Sequence, residues 1–122
     1  MLKNMADAKC FMQQERLASF ATVDADNKPH VVPVFFTYDN SKVYIQAYRK
    51  SLKVRNAKRN PNVAVAVYRG EEAVIIRGKG RIIEDEDEFV KRTQEHIGKY
   101  RLKLDAQGRD SMGIPLFNSH LR

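Results

Sequence analysis

The chain has 122 residues, close to the commonest domain size, and 43% of them are hydrophobic, which is enough for one core. One cysteine excludes an intramolecular disulfide, the three histidines show no metal-ligand spacing, and no apolar run approaches the roughly 20 residues of a membrane span. The 22 basic and 15 acidic residues give a net charge of +7, which favours an anionic partner. We therefore expect a single cytoplasmic domain over residues 1–122, with no membrane contact and no metal.

Hydrophobic periodicity and turn residues define the predicted elements. A helix over residues 4–14 comes first, followed by strands over 17–24, 30–38 and 42–47, a helix over 51–59, strands over 62–68 and 73–83, and a helix over 85–103. Short turns join the first three strands, so these should form an antiparallel meander. Gly78 and Gly80 interrupt the last strand and mark a bend where a barrel closes. The fold is predicted to be mainly β, α+β by content: a small antiparallel β-barrel with flanking helices.

Two helices carry specific burial expectations. In the first helix, Cys10 is expected to be a packed apolar residue. In the long last helix, the apolar spacing selects Phe89, Ile97 and Tyr100 as the buried positions, and His96 should face outward.

The second strand is apolar on both faces. Val32, Val34, Phe36 and Tyr38 alternate with Val31, Pro33, Phe35 and Thr37. One face can fill the barrel, whereas the other should be covered by a helix, a partner subunit or a flat ligand. Because Pro33 cannot donate to a sheet ladder, the sheet should be open or bulged beside it. His30, at the start of the strand, is more typical of a barrel rim than of a ligand contact.

The charge excess is confined to one stretch of the chain. Eight basic residues and no acidic residue lie between Asn40 and Gly70: Lys42, Arg49, Lys50, Lys53, Arg55, Lys58, Arg59 and Arg69. The predicted helix 51–59 begins in this stretch, with Ser51 as an N-cap whose hydroxyl can accept a backbone hydrogen bond. Lys50 and Lys53 flank the positive end of that helix, where cations are unfavourable unless an anion is bound. Phosphate is the anion most often bound at such a position.

The order of several segments carries a resemblance to a known family. Leu17–Asp24 is followed by Lys28–Phe36, Val43–Ala47, Lys50–Asn56, Asn60–Ala64 and the glycines Gly78 and Gly80. In this order and spacing the segments resemble the pyridoxamine 5′-phosphate oxidase-like family of split β-barrels, which bind FMN or a deazaflavin. The resemblance covers about residues 5–98. It implies a homodimeric split β-barrel with two flavin sites at the subunit interface.

The resemblance also implies an FMN-binding flavoprotein, an oxidoreductase that transfers hydride between its flavin and a small-molecule substrate. Ten residues are the candidate cofactor contacts: Val32, Pro33, Val34, Phe35, Tyr48, Arg49, Lys50, Ser51, Lys53 and Asn56. In the family, basic and hydroxyl residues hold the cofactor phosphate, and the matching strand lies along the ring system. Asn56 is expected to support the loop as much as to touch the ligand. No nucleophile–base pair is visible, so no catalytic residue is assigned.

Two departures separate the chain from the family's pattern. It lacks the arginine- and histidine-bearing C-terminal motif of true pyridoxamine 5′-phosphate oxidases, so that specific activity is not expected. It also ends where a further valine-rich strand would be starting, so the final barrel strand should be truncated or rearranged.

Two alternative functions stay open. One is a deazaflavin-dependent reductase of the same fold, whose cofactor's acidic tail could use Arg55, Lys58 and Arg59. The other is a nucleic-acid-binding small barrel, which the scarcity of aromatic residues among the basic ones disfavours.

Overall fold

The computed structural model describes residues 2–105 and 119–121, with side chains from residue 2 to residue 100. Its elements are α1 (Met5–Gln14), β1 (Leu17–Val23), β2 (Pro29–Asp39), β3 (Lys42–Ala47), α2 (Leu52–Arg59), β4 (Asn62–Arg69), β5 (Glu72–Lys79), β6 (Ile82–Ile83), α3 (Glu86–Asp105) and β7 (Ser119–Leu121). The predicted bounds lie close to these limits for every predicted element except the strand over 73–83. Most of the predicted irregular tail lies outside the described residues.

The described strands form one antiparallel sheet in the order β5-β4-β1-β2-β3-β7-β6. The outermost strands of this order, β5 and β6, follow each other in the chain with only Gly80 and Arg81 between them. Because a chain advances at most about 3.6 Å per residue, so short a link forces the sheet to curl until its two edges meet. The predicted mainly β barrel with flanking helices is therefore confirmed.

The barrel closes differently from the prediction in one respect. The predicted strand over 73–83 is in fact divided into β5 and β6, which stand at opposite ends of the sheet order. The division falls at Gly80, whose N–H donates to the carbonyl oxygen of Pro61 at 2.8 Å. The predicted bend is thus correct, but it separates two strands. The short β7 pairs with both β3 and β6, which places a strand where the sequence suggests that the final barrel strand begins.

β2 joins the two halves of the barrel. Its first part, Pro29–Phe35, pairs with β1, and its last part, Phe36–Asp39, pairs with β3. On the outward face, Phe35 packs edge-on against the ring of Tyr100 in α3, with the ring centroids 5.2 Å apart. Val31, on the same face, is 64% exposed. The helix therefore covers only the second half of the apolar face that the sequence predicts must be covered.

The hydrophobic core lies inside the barrel and is closed by two helices. α1 contributes Phe11 and Met12, and α2 contributes Val54 and Ala57. Cys10 is exposed, against expectation, because the buried stripe of α1 consists only of Phe11 and Met12. Among the described residues, no helix is long and apolar enough to cross a membrane, and no group of three or more His, Cys, Asp or Glu side chains could hold a metal ion.

α3 presents a polar face to the barrel, contrary to the hydrophobic pattern. Ile97, predicted to be buried, is 41% exposed, whereas His96, predicted to face outward, is only 1% exposed. Arg92, His96 and Tyr100 recur every four residues, the spacing of one helix face, and all three are buried. The face docks through polar contacts, since Nη1 of Arg92 lies 2.9 Å from Oδ2 of Asp39. The prediction is correct for Tyr100 and wrong for Ile97 and His96, because hydrogen bonds and an ion pair help to determine which side is buried.

Tyr100 anchors α3 to the barrel. Its hydroxyl oxygen lies 2.7 Å from the carbonyl oxygen of Phe36 and 2.8 Å from that of Arg16, and it accepts from the N–H of Phe36 at 3.1 Å. Tyr100→Phe removes the hydroxyl group and leaves these buried backbone groups without their hydrogen-bond partner. The free energy of unfolding should therefore fall by about 1–3 kcal/mol. Urea denaturation measures the loss. Tyr68→Phe is the matched control because Tyr68 is exposed, and equal stability of all three proteins would contradict the anchoring role.

Candidate functional site

The chain between β3 and α2 forms a tight turn at the start of the helix. Ser51 is the N-cap residue, and the N–H of Arg55 donates to its carbonyl oxygen at 3.0 Å. The predicted capping bond from the Ser51 side chain is absent, because its hydroxyl donates to the carbonyl oxygen of Tyr48 at 2.7 Å. Ser51 therefore leaves the first-turn N–H groups of α2 to other acceptors, and an anion suits that position.

Lys53 is the half-buried cation of this turn. Burial lowers the pKa of its ammonium group below the usual value. The first turn of α2 contains no acidic residue that could compensate the charge. An anion bound beside Lys53 would interact favourably with both the ammonium group and the helix terminus. Tyr48, Arg49 and Lys50 complete the turn and are exposed.

Asn56 ties α2 to the barrel from a completely buried position. Its Nδ2 donates to Oγ1 of Thr22 in β1 at 3.0 Å, and its Oδ1 accepts from Nη2 of Arg59 at 2.9 Å. Both ends of the side-chain amide are thus engaged within the protein. Asn56 therefore fixes α2 against β1, and its contact with a cofactor stays a prediction.

The predicted ring-binding stretch of β2 alternates between the core and the outside. Val34 is buried, and Val32 packs against the core from a half-buried position. Pro33 is exposed on the outward side, and Phe35, also outward, is half-buried beneath α3. Of these four residues, Pro33 and the backbone around it are the most accessible to a ligand on the outward face.

The fold brings this stretch of β2 close to the turn between β3 and α2. The pairing between β2 and β3 extends to Phe36 and Ile45, and β3 ends shortly afterwards at Ala47. Because the two strands are antiparallel, the chain beyond Ala47 runs back along β2 towards Val32–Phe35. The two predicted halves of the site, distant in sequence, therefore lie at the same end of the barrel.

The side chain of His30, near the start of β2, has a buried ring nitrogen. It is the cross-strand partner of Thr22, which receives the hydrogen bond from Asn56. The Nδ1 atom of His30 is buried and has no hydrogen-bond partner among the described residues. Leaving such an atom unsatisfied costs about 1–3 kcal/mol, so a polar ligand group that reaches it would be stabilising. The sequence gives no signal for this, because the burial of the ring nitrogen arises from the packing around it.

Arg59 and Arg69, two basic residues of the charged stretch, make contacts within the protein. Nη1 of Arg69 lies 3.2 Å from Oε2 of Glu15, and Arg59 bonds to the buried amide of α2. Arg55 and Lys58 are exposed, and their spacing of three residues places them on one side of α2. The exposed positive charge is therefore concentrated on the turn before α2 and on the outer side of that helix.

Fold and site together define a small antiparallel split barrel with a basic turn at a helix start, beside a strand that is apolar on both faces. The sequence model of the family described as pyridoxamine 5′-phosphate oxidase matches residues 5–117. The chain belongs to this family, which confirms the resemblance predicted from the order of its segments.

Comparison with known proteins agrees with this assignment. The F₄₂₀H₂-dependent biliverdin reductase of Mycobacterium tuberculosis is 29% identical over 97 residues, which cover 78% of this chain and 71% of that protein. A conserved hypothetical protein from Mycobacterium tuberculosis has a TM-score of 0.80 at 17% identity, covering 100% of this chain and 80% of its own. An FAD-binding protein from Mesorhizobium loti has a TM-score of 0.72 at 16% identity, and the match covers 98% of this chain and 87% of that protein. The two structures share the fold, and the family is one of flavin-related oxidoreductases.

Proposed function

We propose that the protein is a flavin-dependent oxidoreductase that binds FMN, with the cofactor phosphate at the start of α2. Lys53 carries the proposal, because it is a half-buried cation in a first turn that contains no acidic residue. The phosphate would accept hydrogen bonds from the first-turn N–H groups, while Lys53 supplies the compensating charge. Tyr48, Arg49, Lys50 and Ser51 would surround it.

The flavin ring system would lie along the outward side of Val32–Phe35. Pro33 is exposed there. When bound, the flavin supplies the capacity for hydride transfer. The residues of the chain bind and orient it and exclude water from one of its sides.

A second copy of the chain would cover the apolar part of the outward face. Four large apolar side chains are exposed on this face of the sheet: Leu17, Val31, Tyr68 and Ile75. Exposed apolar side chains grouped on one face mark an interaction surface. The proposal therefore includes a homodimer with the cofactor at its interface.

A deazaflavin is the second candidate cofactor, and two observations favour it. The curated relative is named for its dependence on F₄₂₀H₂. Arg55 and Lys58 are exposed on α2 beyond the proposed phosphate position, and the single phosphate of FMN does not require them. The longer acidic tail of a deazaflavin could bind there. Arg59 is less suited to that contact, because it already donates to Asn56.

Titration of the purified protein with FMN, riboflavin and F₄₂₀, followed by fluorescence, tests both candidates. Under the main proposal FMN binds, riboflavin binds at least about tenfold more weakly because it lacks the phosphate, and light scattering gives the mass of a dimer. Preferential binding of F₄₂₀ would favour the second candidate. Binding of none of the three would contradict the proposed function.

A further inference from the structure

An open groove of about 580 Å³ crosses one end of the sheet, over the last residues of β1 and β5 and the first residues of β4. Ala64 of β4 pairs with Ala21 of β1 on one side and with Arg77 of β5 on the other. Directly paired residues project from the same face of a sheet, so these three stand in one row. None of the residues in the turn before α2 lines the groove, so it is distinct from the proposed phosphate position.

The floor of the groove is flat because its side chains are small. Ala21 and Ala64, the two small residues of this row, extend no further than Cβ. The groove volume lies within the range of small-molecule sites in proteins. A planar molecule can lie on such a floor in contact over its whole face.

The charge of the groove is positive. Arg77 and Lys79 line it, and no aspartate or glutamate does. Lys79 donates to the side-chain oxygen of Asn62. Arg77 is exposed and makes no ion pair within the part of the chain that the structure describes. A guanidinium group presents paired N–H donors that match a carboxylate, sulfonate or phosphate, so the groove favours an anion.

The groove adjoins the strand proposed for the flavin ring. Ala21, in the row on its floor, pairs with Val31 of β2, the residue before Val32. Neighbouring strands lie about 4.7–4.9 Å apart, so the groove floor begins one strand away from the proposed ring position. Thr22, which also lines the groove, receives the hydrogen bond from Asn56 of α2.

We propose that this groove binds the substrate of the enzyme and that the substrate is a flat anion whose acidic group contacts Arg77. The inference rests on the proposed function, because it is the neighbouring ring position that makes the ligand of the groove a substrate. The small residues select for a planar shape, and Arg77 with Lys79 selects for negative charge.

Two fluorescent probes with one aromatic skeleton test the groove. Anilinonaphthalene sulfonate carries an anionic group, and phenylnaphthylamine is its uncharged counterpart. Arg77→Gln should weaken the binding of the anionic probe about tenfold, the loss expected for one charged hydrogen bond, and leave the neutral probe unchanged. Lys91→Gln, on the exposed side of α3, removes the same charge away from the groove and should change neither. Ala64→Leu should weaken the binding of both probes, because the larger side chain fills space in the groove.

Two results would overturn the groove proposal. Equal effects of Arg77→Gln and Lys91→Gln would show that the anionic probe responds only to net charge. A probe that converts a dimer to monomers would show that a second copy occupies the groove. Titrating the same variants with FMN and F₄₂₀ separates this inference from the proposed function. Suppose that neither the wild type nor any variant binds FMN or F₄₂₀, while Arg77→Gln still weakens the binding of the anionic probe. The groove would then be an anion-binding site, but its ligand would not be the substrate of a flavoenzyme.

Discussion

The Lys53→Ala variant should bind FMN roughly 10- to 150-fold more weakly than the wild type, because a hydrogen bond to a charged group contributes about 1.5–3 kcal/mol. The substitution removes the half-buried cation from the first turn of α2. Fluorescence titration measures the two dissociation constants. Riboflavin is the matched ligand control, since it lacks the phosphate and should bind the variant and the wild type equally well.

The same residue should give FMN binding a dependence on pH. Burial lowers the pKa of Lys53 in the free protein, and a bound phosphate would raise it again. Binding then takes up a proton once the pH exceeds the pKa of the free protein. The affinity should therefore be greatest below that pKa and fall as the pH rises through it. Lys53→Arg, whose guanidinium stays protonated, should retain its affinity at higher pH.

Lys58→Ala is the control on the same helix. Lys58 lies in the last turn of α2 and is exposed, away from the first-turn N–H groups. Its replacement should leave FMN binding unchanged and weaken the binding of F₄₂₀ if an acidic cofactor tail reaches it. Unchanged FMN binding in Lys53→Ala would place the phosphate elsewhere, and equal losses in both variants would indicate a general response to positive charge.

The strands of the barrel could be predicted because their burial follows local alternation. In β4, Val65 and Val67 are buried while Tyr68 is exposed, as a period of two requires. The division of the predicted strand over 73–83 could not be foreseen in full. Gly80 signals a bend in the sequence, but only the assembled sheet shows that β5 and β6 lie on opposite edges.

The orientation of α3 escaped prediction because its partners are distant in sequence. Apolar spacing selects Phe89, Ile97 and Tyr100, and of these Tyr100 is buried, Phe89 is half-buried and Ile97 is exposed. The side that packs on the barrel carries Arg92 and Tyr100, whose partners are Asp39 and the backbone of Phe36. Hydrophobic periodicity contains no information about such contacts, since a buried polar face is stable only when its particular partners are present.

The turn of the candidate site could be predicted because it is one continuous segment of unusual charge. Residues from Tyr48 to Lys53 lie together at the start of α2, as the sequence suggests. The hydrogen bond of the Ser51 hydroxyl to Tyr48 could not be predicted, because a serine at an N-cap can donate as well as accept. The groove beside β2 was equally inaccessible to sequence reasoning, because residues from three separate strands form its floor.

Asn56→Leu should lower the free energy of unfolding by about 1–3 kcal/mol, because it leaves the buried hydroxyl of Thr22 without a partner. Adding Thr22→Val should recover most of this loss, since replacing both members of a buried polar pair by apolar groups of similar shape is nearly neutral. Urea denaturation of the wild type, the two single variants and the double variant gives the coupling energy between the two positions. A double variant no more stable than Asn56→Leu alone would contradict the importance of this hydrogen bond.

The double variant also separates the two parts of the role expected for Asn56. With stability recovered, any remaining loss of FMN affinity cannot come from weakened anchoring of α2. Affinity equal to that of the wild type would show that Asn56 acts by holding the helix against β1. The observed contacts favour this result, because both ends of its amide are engaged with Thr22 and Arg59. A persistent loss of affinity would instead require Asn56 to leave these partners and contact the cofactor directly.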